Sequence, residues 1–90
     1  MGGELFLASV AGCFLSTLLA AIKTRGLAPS TIETEVVGTL AESPAHFSAI
    51  EIQVFAPDLP DLDKLLEIAD RSCIMTNTLR GTLPVRIGIR

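Results

Sequence analysis

The stretch from Leu5 to Ile22, LFLASVAGCFLSTLLAAI, contains no charged residue over eighteen positions. A helix of that length and composition must either cross a bilayer or be enclosed by the rest of its own protein. It is not a signal peptide, because Glu4 precedes it and no positive charge does. Ser9, Gly12, Ser16 and Thr17 dilute it as a membrane span. The remaining segments are amphipathic and need an apolar surface to pack on, so the stretch reads as the long central helix of a soluble protein with no membrane partner. A spanning helix would instead predict partition into detergent.

The helix is patterned. Ala8, Gly12, Ser16 and Ala20 recur every four residues, with Ser9 and Cys13 beside them, while Phe6, Val10, Phe14 and Leu18 fall on the other side. A stripe of small residues lets a second helix approach, and the bulky side can cover a sheet. Lys23-Thr24-Arg25-Gly26 supplies a cationic last turn and a glycine stop. Ile32 to Val36 alternates, and Gly38 closes that strand or marks a bulge. Glu42-Ser43-Pro44-Ala45 reads as a turn, and Ser48, Ile50, Ile52 and Val54 alternate against Ala49, Glu51 and Gln53. The pattern predicts an antiparallel hairpin with one wet face that carries Glu33, Glu35 and Glu51, and with His46 at its turn. A second helix starts near Pro60 or Asp61, with Leu62, Leu65, Leu66 and Ala69 on its apolar stripe and Cys73 four residues on. A further turn or two spans Thr76 to Leu79, with Met75 as core filler, and Gly81 ends it. Pro84 opens a last strand. The order helix, strand, strand, helix, strand is α+β, in one domain over residues 1–90.

Composition narrows function. Hydrophobic residues make up 49% and charged residues 19% of the 90, which excludes a disordered chain. A net charge of −3 and the absence of Trp and Tyr argue against nucleic acid as a partner. A domain of this size buries only roughly 60–65% of its unfolded surface, so so apolar a chain is expected to associate with a second copy. Two cysteines, sixty positions apart, and one histidine suit neither a secreted disulfide framework nor a structural zinc site, and no cofactor or metal is expected. Cys13 and Cys73 then have two readings: small buried hydrophobes, or a redox pair brought together if the two helical stripes pack. A thiol deep among apolar side chains is held protonated and inert. The redox reading therefore needs a donor or cation near the sulfurs, and Thr17, one turn from Cys13, offers a weak hydrogen bond.

Glu4-Leu5-Phe6-Leu7-Ala8-Ser9-Val10-Ala11-Gly12-Cys13 resembles the ELLLAALAGC segment of the OsmC/Ohr family. Arg71-Ser72-Cys73, Asn77-Thr78-Leu79, Gly81 and Pro84-Val85 resemble that family's second cysteine segment, at a similar separation. The likeness runs over nearly the whole chain. It implies an intertwined homodimer, cytoplasmic, with the long helices at its centre. It also implies thiol peroxidase activity toward organic hydroperoxides, in which Cys13 is the peroxidatic thiol, Cys73 resolves, and a dithiol reductant resets the disulfide.

Some positions depart from the family pattern. Glu4 matches one branch of the family; the hydroperoxide-reductase branch places its functional Glu where Gly3 stands here. Ile74 replaces a common proline. The family's active-site arginine comes from strands ahead of the first motif and has no counterpart in these ninety residues; Arg80 is the best substitute cation, and Asn77 is a candidate donor to a bound oxygen. Met1-Gly2-Gly3 reads as a loop before the helix, from which the chain is expected either to associate more tightly than its relatives or to belong to a longer product. The alternative function is a non-catalytic dimer of the same fold that binds an apolar small molecule between its central helices.

Overall fold

The computed structural model describes residues 2–90. Helix α1 (Gly2–Thr24) takes in the whole uncharged run and extends it by a turn at its start, so Gly2 and Gly3 are helical rather than loop, while Met1 lies outside the described residues. Its end follows the sequence signal. Gly26 adopts φ +70°, the Gly26 amide bonds the Lys23 carbonyl at 3.0 Å and the Leu27 amide bonds the Ile22 carbonyl at 3.2 Å. This pair satisfies two carbonyls left over by the helix. Val10, Phe14 and Leu18 have no exposed surface and Ala21 and Ile22 are buried beside them. By length and composition α1 could cross a membrane, yet its bulky side forms the centre of a globular core. The opposite side, with Leu5, Ala8, Gly12, Ser16, Leu19 and Ala20, is exposed. The small-residue stripe therefore lies open, and the second helix of this chain packs on its flank instead.

Strands β1 (Glu33–Ala41) and β2 (His46–Phe55) pair antiparallel, with Val36 opposite Ile52. β3 (Val85–Ile89) lies parallel to β2 on its other side, with Ile52 opposite Ile87, so the sheet order is β1-β2-β3. Ile50, Ile52 and Val54 face the helical layer and are buried, while Glu33, Glu35 and Glu51 are exposed on the far face. Arg90 reaches across that face, bonding the Glu33 carboxylate, approaching Glu35 at 3.9 Å and standing over the Phe55 ring at 5.3 Å. His46 is exposed at the turn, its Nδ1 2.6 Å from the Pro44 carbonyl.

One irregularity reshapes the hairpin. Thr39 faces Ala49 but Leu40 faces Phe47, so Ser48 is an extra residue on β2, its hydroxyl bonding the Thr39 carbonyl at 3.2 Å. Simple alternation puts Phe47 on the wet face with Ala49 and Glu51; the bulge turns it inward. There it stacks on Phe6 with ring centroids 5.3 Å apart and covers Gly38. A Cβ on Gly38 would lie 2.6 Å from the Phe47 ring and 3.0 Å from a Leu7 methyl. Gly38→Ala is therefore expected to cost about 1–3 kcal/mol in urea unfolding, as overpacking does. Phe47→Leu should recover much of that loss in the double variant, since the clash is with the ring; additive losses would refute this account.

Between β2 and β3 the chain crosses over through α2 (Leu62–Ser72) and α3 (Ile74–Leu79). Leu62, Leu65, Leu66 and Ala69 of α2 are buried, as its apolar stripe requires. The loop before α2 is tied back to the loop after α1: the Asp58 carboxylate accepts the Ser30 amide at 2.8 Å and its hydroxyl at 2.7 Å. Those two donors, the amide first, hold Asp58 below the ordinary carboxylate range. The result is a helical layer on one face of a three-stranded sheet, 46 × 22 × 17 Å overall.

Candidate active site

The two cysteines meet. Cys13 Sγ lies 3.7 Å from Cys73 Sγ, both as free thiols. The helical faces explain how. Cys13 sits on the flank of α1 between its buried side and its open small-residue stripe, and is half-buried. Cys73 has no exposed surface. It is not a continuation of α2: with φ −80° and ψ 115° it breaks the helical path, ending α2 and starting α3. That kink turns its side chain toward α1.

The break is stapled by side chains of α3. The last carbonyls of α2 have no helical partners of their own. Thr76 Oγ1 donates to the Asp70 carbonyl at 3.2 Å and the Cys73 carbonyl at 3.3 Å, and Asn77 Nδ2 donates to the Arg71 carbonyl at 3.0 Å. The Cys73 amide itself bonds Asp70 at 3.4 Å. Thr76 is fully buried, the one polar residue in the core among the described residues. Burial pushes the Cys73 thiol up, but the Thr76 amide, the Cys13 thiol, the Thr76 hydroxyl and the Met75 amide outweigh it, and the net direction is down. The neutral thiol makes no capping hydrogen bond; these donors surround it and favour the charge when it forms.

The other candidates fall at varied distances from this pair. Thr17 bonds the Cys13 carbonyl at 3.0 Å, so its hydroxyl is spent on the backbone rather than on sulfur. Ser9 and Thr24 do the same to Leu5 and Ala20, which hides hydroxyls on an apolar helix. Asn77 closes the end of α2, as just described. Arg80 Nη1 bonds Asp70 at 2.9 Å and Nη2 reaches the Val85 carbonyl at 3.5 Å, clamping α3 and β3 to α2. Among the described residues, Arg25, Arg71, Arg80 and Arg90 bond the Ala21 carbonyl, Glu67, Asp70 and Glu33 respectively rather than either sulfur. Glu4 lies nine residues before Cys13, about 13.5 Å along the helix axis. It lines an open cleft with Gly3, Leu7, Gly38, Leu40 and Phe47. Thr76 escaped the sequence reading; the signal available was a polar, β-branched residue three positions after a cysteine, where the apolar stripe should continue. A groove of about 280 Å³ runs between α1 and α2 from Thr17 and Ser72, close to the sulfurs, to Thr24 and Arg25.

A family model described as OsmC-like protein matches residues 2–88. The chain belongs to the OsmC-like family. None of the curated proteins matches it by sequence. Among solved structures, it is similar to an organic hydroperoxide resistance protein, OsmC, from Legionella pneumophila: 20% identity, TM-score 0.82, 96% of this chain and 66% of that one. A hypothetical protein from Aquifex aeolicus superposes with TM-score 0.89 at 18% identity, covering 100% of this chain and 72% of the other. The organic hydroperoxide resistance protein OhrB of Bacillus subtilis gives 26% identity and TM-score 0.74, over 96% and 67%. The chain thus spans about two thirds of the length of these OsmC-fold proteins. The α+β order read from the sequence is the fold they share.

Proposed function

We propose that this protein is a thiol-dependent peroxidase that reduces organic hydroperoxides through Cys13 and Cys73, working as a cytoplasmic, intertwined homodimer. The observation that carries the reading is the 3.7 Å approach of the two free sulfurs. The Cys13 thiolate attacks the terminal oxygen of the hydroperoxide; the O–O bond breaks, an alcohol leaves, and Cys13 becomes a sulfenic acid. Cys73 then attacks the Cys13 sulfur, water departs, and a disulfide forms. The sulfurs close from 3.7 Å to the roughly 2.05 Å of a disulfide in that step. A dithiol reductant returns the pair to thiols.

Membership of the family and the names of its solved relatives support the substrate class. The dimer is supported by the open face of α1, which between Glu4 and Lys23 carries no charge and exposes Leu5 and Leu19 beside Ala8, Gly12 and Ser16. A partner seated there would wall one side of the sulfur pair. Among the described residues no cation is bonded to either sulfur, which favours a second reading, an apolar small-molecule binder whose cysteines only pack.

One equivalent of an organic hydroperoxide should remove both thiols and lower the intact mass by about 2 Da, the signature of an intramolecular disulfide. Survival of both thiols would leave the binding reading in place and end the peroxidase one.

A further inference from the structure

We infer that the disulfide is polarised: the reductant attacks the Cys13 sulfur, and Cys73 leaves as the thiolate, received by the Thr76 hydroxyl. The inference rests on the redox reading of the pair and adds the direction of its second half. Exchange at a disulfide is an in-line displacement, so the entering thiolate must approach one sulfur from the side opposite the other. Behind Cys73 lies the packed α2–α3 junction, where Cys73, Ala69 and Thr76 have no exposed surface. Cys13, on the flank of α1, retains a surface that an external thiol can reach.

Thr76 follows Cys73 by three residues in the same buried junction, and its hydroxyl is among the donors that favour charge on Cys73. Its hydroxyl donates to two carbonyls at 3.2 and 3.3 Å. Both bonds are long against the 2.7–2.8 Å usual for hydroxyl donors, so neither holds the proton firmly. A hydrogen bond to an ionised acceptor is about twice as strong as one between neutral groups, and a newly formed Cys73 thiolate would draw the hydroxyl over. The burial that hides Cys73 from the reductant would otherwise oppose its charge; Thr76 offsets that opposition.

The step balances without other participants. A thiolate of the reductant forms a bond to Cys13 Sγ, the Sγ–Sγ bond breaks, and the electron pair departs with Cys73. The second thiol of the reductant then attacks its own bridging sulfur, releasing Cys13 and leaving the reductant as a disulfide. A monothiol carries no second thiol of its own, so the mixed disulfide persists until a second molecule attacks it, and an early quench makes the polarity readable.

The test uses protein oxidised with diamide, so that it does not depend on turnover of peroxide. Treatment with 2-mercaptoethanol, acid quench, alkylation and peptide mapping should place the mercaptoethanol adduct on Cys13 and the alkyl group on Cys73, with at least a tenfold bias. An adduct on Cys73, or an even split, would overturn the inference while leaving the peroxidase reading intact. A disulfide that forms with diamide but never with hydroperoxide would do the reverse. Thr76→Val should slow the first reduction step on the order of threefold, because a poorer leaving thiol leaves more slowly. Thr76→Ser should restore the rate. In a Cys13→Ser background, Thr76→Val should also move the Cys73 thiolate absorbance at 240 nm to higher pH. No change in rate or titration would remove Thr76 from the step; the adduct map on the unaltered protein stands independently of how the variant folds.

Discussion

Cys13→Ser is expected to bring hydroperoxide consumption down to the uncatalysed background, a loss of at least about 10³-fold, as removal of a nucleophile does elsewhere. A serine hydroxyl is not ionised at neutral pH and does not supply the sulfur lone pair that the O–O bond accepts. Cys73→Ser should behave differently. The first equivalent of peroxide is still consumed, the Cys13 sulfenic acid accumulates and can be trapped with dimedone, and further peroxide drives it to the sulfinic acid. The opposite assignment has a physical basis, since Cys73 is the thiol whose surroundings favour ionisation. Access favours the proposed assignment. A peroxide oxygen must reach the sulfur in line with its O–O bond, and Cys73 has no exposed surface while Cys13 does. Stopped-flow peroxide assays with sulfenate trapping on the two variants separate the cases. A burst in Cys13→Ser and none in Cys73→Ser would exchange the roles.

The sequence made some of this site legible and hid the rest, for reasons that lie in the residues. The helical spacing of Leu62, Leu65, Leu66 and Ala69 points the apolar stripe toward Cys73, and the four-residue stripe of α1 places Cys13 at its flank, so the two periodicities bring the cysteines to neighbouring helices, and the break at Cys73 completes the approach of the sulfurs. The hairpin turn at residues 42–45 was marked by its serine and proline. What a periodicity does not carry is its own interruption. Phe47 and Ser48 sit where alternation continues on paper; the bulge that turns Phe47 inward depends on Gly38 leaving room beneath the ring, a long-range fit. The break at Cys73 is similar. No Gly or Pro marks it, and it is held by Thr76 and Asn77 reaching back to the carbonyls of Asp70 and Arg71. Arg80 looked available because sequence shows the charge and not its neighbour; the structure pairs it with Asp70, ten residues upstream.

Gly12→Glu should leave the protomer folded and dissolve the proposed dimer. Nothing lies within 4 Å of a Cβ built on Gly12, so within one chain the position accepts any side chain, and replacing a mid-helix glycine helps the helix itself. The contrast with Gly38, where the same addition collides with Phe47, shows that the two glycines answer to different demands. Gly38 makes room inside the protomer. Gly12 lies among Ala8, Ser16 and exposed Leu19, in the stretch between Glu4 and Lys23 that carries no charge, and there a bare backbone serves a second helix at close range. If a partner α1 occupies that face, the glutamate carboxylate is buried against it without a cation, at a cost of about 3–5 kcal/mol. That corresponds to a dissociation constant higher by roughly 10²–10⁴-fold. Sedimentation should show monomers for Gly12→Glu at concentrations where the unaltered chain is dimeric, with an unchanged far-ultraviolet circular dichroism spectrum. Gly12→Ala, small enough to sit in a close crossing, should keep most of the dimer. A dimer that survives Gly12→Glu would mean that the chains associate elsewhere, most directly through the open edges of β1 or β3. The sulfur pair would then have to function without a wall from its partner.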